Sequence, residues 1–161
     1  MARQLPIEIF MPPNILKAKV GSAIGGIDVA AIRRAEAAVE ELRGEFNDWL
    51  TTDVGRLADC RDLFAQQPSA AARSDLFRAA HDLKGEGETF GFPMIARLAA
   101  SLSRLIDAVQ PSAEIPLGLV DAHVAAIRVV FRDRVKDAND RTAAALAEEL
   151  EARVTEMLAT V

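Results

Sequence analysis

The chain reads as all-α: an up-and-down four-helix bundle with one or two additional N-terminal helices. Three observations predict this class. Alanine, leucine, arginine and glutamate dominate, tyrosine is absent and β-branched runs are few, which is a helix-forming composition. After residue 28, apolar residues recur at spacings of three and four, the period of a single helix face. The connections between these stretches are short and carry proline, glycine or capping residues, and short connections between long helices favour antiparallel neighbours. With 161 residues, half of them hydrophobic, the chain can bury one full core without a second domain.

Residues 1–27 stand apart from the bundle expected over 28–161. Leu5-Pro6-Ile7-Glu8-Ile9-Phe10 has the pattern of an extended piece, and Gly21, Gly25 and Gly26 mark a flexible connection. From Asp28, a plausible N-cap, Ile32, Ala35, Val39, Leu42, Phe46 and Trp49 form the stripe of a long amphipathic helix. Thr51-Thr52-Asp53 offers caps for a second element carrying Val54, Leu57, Cys60, Leu63 and Phe64, which stops before Pro68. The next helix begins near Ser69, with Ala72, Leu76, Ala79, Ala80, Leu83, Gly87 and Phe90 on one stripe.

Gly91-Phe92-Pro93 punctuates the chain, and Pro93 is well placed in the first turn of the following helix, whose stripe is Ile95, Leu98, Leu102, Leu105, Ile106 and Val109. Pro111 ends that helix. Pro116 opens another with Leu117, Val120, Val124, Ile127, Phe131 and Val135, and after Asn139 or Asp140 as cap a last helix carries Ala143, Leu146, Leu150, Val154 and Met157. The four long helices from about 69 to 158 are read as the bundle, with the preceding ones packed across or extending it.

Composition also excludes. A net charge of −5 argues against nucleic acid as a partner, because phosphate binding needs a concentrated basic face. Arg128, Arg132, Arg134 and Lys136 cluster, but Asp133 and Asp137 interleave with them, as on a solvated helix face. The single cysteine, Cys60, can form no internal disulfide and no thiolate cluster for zinc, consistent with a reducing compartment. Pro6, Pro12, Pro13 and Glu8 interrupt any signal-peptide core, and no window approaches the ~20 apolar residues that span a bilayer. The expectation is a cytoplasmic protein with no membrane association. No phosphate-cradling glycine loop, kinase motif or activated serine or cysteine is present, and His123, near Val120 and Val124 on its helix, reads as boundary packing rather than as a metal ligand.

One histidine is placed where a core does not want it. At 100° per residue, His81 lies about 140° from the centre of its helix's apolar stripe, beside Phe77, Arg78, Gly85 and Glu88. Lys84 and Gly85, three and four residues on, are its neighbours along the helix surface. Glycine inside a helix costs about 1 kcal/mol relative to alanine. Gly87 lies on the apolar stripe, where close approach of a neighbouring helix accounts for it. Gly85 has no packing reason of this kind: either it clears a partner's path to the imidazole, or the helix ends there in a C-cap.

His81-Asp82-Leu83-Lys84-Gly85, followed by Gly91 and then an amphipathic helix with Leu98 and Leu102, resembles the histidine phosphotransfer (HPt) domains of two-component phosphorelays. The resemblance covers roughly residues 35–158, with the specific motif in 76–106. It implies that His81 accepts a phosphoryl group from a receiver-domain aspartate and passes it to another receiver aspartate, with Nε2 as the attacking atom of a neutral imidazole. It implies that Lys84 offsets phosphate charge and that Gly85 leaves room for the partner.

By the same resemblance, partners are receiver domains of response regulators, hybrid histidine kinases or both. The chain itself needs no cofactor, Mg²⁺ being carried by the receiver, and it is a phosphoryl carrier rather than an enzyme. Phe77, Arg78, Glu88 and Phe92 are candidates for docking the partner, with ordinary partial burial as the alternative for the two phenylalanines. Ser103, on the following helix, is a candidate hydrogen-bond partner of the imidazole. Glu88 departs from the family pattern, which has a small residue there; it and Glu86 place negative charge near the histidine unless Glu88 pairs with Lys84 or selects a partner. A helical scaffold that binds response regulators without phosphotransfer has the same composition. A histidine-kinase dimerisation module is disfavoured because no ATP-binding domain follows. A self-contained bundle with an exposed acceptor points to a monomer.

Overall fold

The computed structural model describes residues 29–110 and 114–160. Expectations for residues 1–28, including the extended piece, and the helix stop at Pro111 lie outside the described residues. The chain divides into two compact units, Met1–Glu40 and Glu41–Val161. Among the described residues there are five helices and no strand: α1 Val29–Gln66, α2 Ala70–Thr89, α3 Pro93–Ala108, α4 Leu117–Arg132 and α5 Arg141–Ala159.

The two N-terminal elements expected on either side of residue 51 are one helix. Thr51 and Thr52 donate their hydroxyls back to the carbonyls of Asn47 and Asp48. A threonine bonded to its own i−4 carbonyl sits inside a helix and caps nothing. The expected stripe also differs from what is buried. Ile32, Val39 and Trp49 are exposed, Ala35 likewise, and the side chain of Leu42 lies outside the described residues. Among the described side chains of α1 the buried ones are Leu50, Val54, Leu57 and Phe64, while Leu63 is exposed.

Within the unit Glu41–Val161, Leu50, Val54, Leu57 and Phe64 of α1 belong to one buried core with residues of α2, α3, α4 and α5. Arg56 of α1 reaches Asp82 of α2, and Arg61 of α1 bonds Asp121 of α4. Helix α3 packs on α2, α4 and α5, and α4 also packs on α5, whereas the backbone of α2 does not come close to that of α4 or α5. Helix α5 lies against α3 and α4, held by a two-bond fork from Arg97 to Glu151. Its packed line is Ala143, Ala147, Leu150 and Val154, while Leu146 and, on α4, Leu117 stay exposed.

The helix ends follow local chemistry. Ser69 accepts a hydrogen bond from the Ala72 N–H and starts α2, and Asp140 does the same with Ala143 at the start of α5. Helix α2 closes with Phe92 N–H on Gly87 O and with Gly91 at φ +75°, the left-handed turn that glycine adopts without a Cβ clash. Helix α4 closes the same way, Val135 N–H on Val130 O, but around Arg134 at φ +52°. Arg73 of α2 donates its guanidinium to the carbonyls of Ile106, Val109 and Gln110, satisfying the open C-terminus of α3.

Candidate functional site

Helix α2 is the platform of the site. It buries Ala72, Leu76, Ala79, Ala80, Leu83 and Gly87, which fixes its rotation and turns the opposite face outward. On that face His81, Lys84, Gly85, Arg78 and Glu88 are exposed, and Phe77 is half-buried. The Phe77 ring lies one turn before His81, stacked on the imidazole with centroids 5.7 Å apart and planes at 25°. Such stacking shields one ring face and narrows the imidazole's rotamers while leaving its edge to solvent.

The helix does not end at Gly85; it continues to Thr89 with Phe90 as C-cap. A Cβ built on Gly85 meets nothing within 4 Å, so no packing inside the chain calls for glycine there. Gly87 is the opposite case: its Cβ would stand 2.7 Å from the Ala96 backbone nitrogen, so close approach of α3 requires it, as the apolar stripe predicted.

Two expected site residues are placed elsewhere. Phe92 is 1% exposed; its ring packs on Phe131 and carries the Lys136 ammonium 4.9 Å above its centroid. It is a core residue, drawn inward because the turn after Gly91 folds the chain back onto α4, and it offers no docking surface. Ser103 is buried and donates its hydroxyl to Ala99 O at 2.8 Å, so its bond closes within α3 rather than on the imidazole. Glu88 is exposed, and among the described residues no ion pair joins it to Lys84.

Residues that the sequence did not bring forward flank the histidine on the α1 side. Arg56 donates to Asp82 at 3.2 Å and lies 3.9 Å from Asp53. Glu86 faces this group, with its Oε2 sealed from solvent. Burial first, and then the Asp53 carboxyl, push the Glu86 carboxyl up to about 7, with Asp82 adding to the rise and Arg56 opposing it. Two carboxyls facing each other cannot both ionise cheaply. Glu86 therefore adds less negative charge near the histidine than its residue type implies. Nothing local in the sequence marks Arg56 or Asp53; they join the site only when α1 packs on α2.

Phe77 also borders an open groove whose walls include Phe64, Arg73, Ile106, Val109 and Ile115. The other histidine, His123, is fully buried rather than at a boundary. Its Nδ1 lies 2.7 Å from Leu119 O and its Nε2 2.9 Å from Ser101 Oγ. A carbonyl only accepts, so Nδ1 carries the proton and Nε2 accepts from the serine. Burial lowers its pKa, and both nitrogens are engaged, which leaves it no role as a nucleophile. Among the described residues no group of His, Cys, Asp or Glu could hold a metal ion, and no helix is long and apolar enough to cross a membrane.

The surface presents one exposed imidazole, braced by an aromatic ring, with a cation three residues on and an empty flank four residues on. A family model described as the Hpt domain matches residues 32–160. No curated protein and no solved structure matches the chain.

Proposed function

The chain belongs to the Hpt domain family, and on that premise we propose that it is a phosphorelay intermediate with His81 as phosphoacceptor. The observation that carries the reading is the exposed His81 ring stacked on Phe77, with Lys84 on one side and open space over Gly85 on the other. A receiver domain bearing a phospho-aspartate docks over this face. Nε2 of the neutral imidazole attacks phosphorus; the N–P bond forms as the P–O bond to the aspartate breaks, and the carboxylate leaves with the electron pair. Nδ1 keeps its proton, so the phosphoimidazole is cationic and is itself a good donor. Attack by the carboxylate of a second receiver reverses the step and restores the neutral ring.

The division of labour follows from what each side supplies. The phosphoryl group needs positioning and charge neutralisation more than covalent chemistry. The receiver brings Mg²⁺, and this chain brings a held nucleophile and the Lys84 ammonium. Phe77 and Arg78 border the contact, and Gly85 admits the edge of the receiver's active site. Glu88, exposed on the same face, selects among receivers by charge. The chain is thus a carrier whose turnover depends on its partners.

Incubation with a receiver labelled on its aspartate tests the reading. Acid-labile, base-stable label is expected on the chain and is expected to vanish in His81→Gln while helical content is unchanged. Receiver binding without label, unaffected by that substitution, would leave a scaffold in place of a carrier.

A further inference from the structure

Arg56 of α1 ends on Asp82, the residue that follows the exposed imidazole on α2. At 3.2 Å the guanidinium is closer to that carboxylate than to Asp53, which lies 3.9 Å away and faces Glu86. Both partners of the closer pair are about half exposed, and an ion pair in that setting adds little to stability. Its consequence is electrostatic. Asp82 projects about 100° round the helix from His81, and a full negative charge on the residue next to the phosphoacceptor opposes the arrival of an anionic phosphoryl group.

A second cation competes for Asp82. Arg78 precedes it by four residues, the spacing at which opposite charges on one helix meet. Among the described residues Asp82 pairs with Arg56 instead, and neither Arg78 nor Lys84 takes part in an ion pair. Both of these cations are exposed on the His81 face, where a phosphate would stand.

We propose that Arg56 is a positioning residue for the His81 site: by holding the Asp82 carboxylate at the α1 edge it keeps that charge from opposing the phosphoryl group and from capturing Arg78, so that Arg78 and Lys84 meet the phosphate together. The inference rests on the reading of His81 as phosphoacceptor and adds no covalent step to it. Because the neutralising cation comes from a neighbouring helix, Asp82 is offset without a further side chain on the face that a receiver covers. Charges at this separation and exposure change a rate by a few-fold rather than by orders of magnitude.

Potassium phosphoramidate, an anionic phosphodonor that needs no receiver, tests the role on the full chain, with the initial rate of His81 phosphorylation read by ³¹P NMR. At about 20 mM salt Arg56→Gln is expected to react about three- to tenfold more slowly than the wild type at unchanged helical content, and the deficit is expected to shrink below about twofold at about 500 mM, where surface charges are screened. Asp82→Asn is expected to react at least as fast as the wild type, and Arg56→Lys to keep about half the rate or more, since a cation is restored. Arg56→Gln combined with Asp82→Asn is expected to match Asp82→Asn within about twofold, because no charge is left for Arg56 to hold. An Arg56→Gln chain as fast as the wild type at low salt overturns the proposal. So does a deficit that persists at high salt or in the Asp82→Asn background, since Arg56 would then act by some route other than the Asp82 charge. If the wild type takes no phosphoryl group on His81 from phosphoramidate or from a phosphorylated receiver, the phosphoacceptor reading falls and the role of Arg56 with it; phosphorylation of His81 at one rate in all variants removes the role of Arg56 alone.

Discussion

Gly85 separates the demands of folding from those of the partner more clearly than any other residue. Its Cβ position is empty, so Gly85→Ala is expected to raise stability by about 1 kcal/mol, the helix-propensity difference, in urea or thermal unfolding. The same methyl group would stand one turn from His81 on the docking face, so phosphoryl transfer from a receiver is expected to slow by at least tenfold; a variant both more stable and equally fast would remove the clearance argument. Glu86 gives a second residue-scale test. Its carboxyl is raised in the folded chain to about 7, so between its ordinary range near 4.5 and that value the folded state binds more protons than the unfolded. Stability from this group is therefore full below about pH 4.5 and declines as pH rises to 7. Glu86→Gln, which cannot ionise, is expected to gain stability over the wild type as pH rises from 5 to 8; parallel curves would mean that the pair with Asp53 does not form. The sequence showed His81, Lys84 and Gly85 together because they lie within two turns of one helix, but it could not show Arg56 or Asp53, which arrive from another helix.

At the scale of elements, the α2–α3 hairpin depends on two glycines with different duties. Gly87 lets α3 approach to backbone contact, so Gly87→Ala is expected to cost about 1–3 kcal/mol as overpacking, in spite of alanine's better helix propensity. Gly91 supplies the left-handed residue that ends α2. Arg134 holds the equivalent place at the end of α4 with a side chain, at φ +52°, and Arg134→Gly is expected to stabilise by about 0.5–1 kcal/mol by relieving that strain. Chemical denaturation of the two variants checks both signs. Ser69, Pro93 and Asp140 were readable as helix starts because caps act within one turn. Thr51-Thr52-Asp53 has the residue types of a helix start yet lies inside α1, since a threonine hydroxyl serves a helix interior as well as a helix start, and only the hydrogen bonds to Asn47 and Asp48 distinguish the two.

Across the whole molecule, the buried polar link between α3 and α4 sets a limit on acid stability. His123 is neutral inside the core between Leu119 O and Ser101 Oγ, and burial lowers its pKa, so the unfolded chain binds the extra proton first. Its contribution is present above the ordinary histidine range and is lost as pH falls below it. Wild-type stability is expected to decline from about pH 6.5 toward 5, with the decline reduced in His123→Asn, and ¹⁵N spectra are expected to show the Nδ1–H tautomer; a cationic ring in the folded protein at pH 5.5 would contradict this arrangement.

Local order was fixed by the sequence itself: helices, most of their ends, and the outward direction of His81 follow from a 3.6-residue period and from caps that act over a few residues. Which helices pack on which was decided by tertiary packing, because amphipathic stripes state that a face will be buried without naming its partner. The same packing drew Phe92 inward and joined Arg56 and Asp53 to the site. Each of these depends on contacts between residues far apart in the chain, where periodicity carries no information.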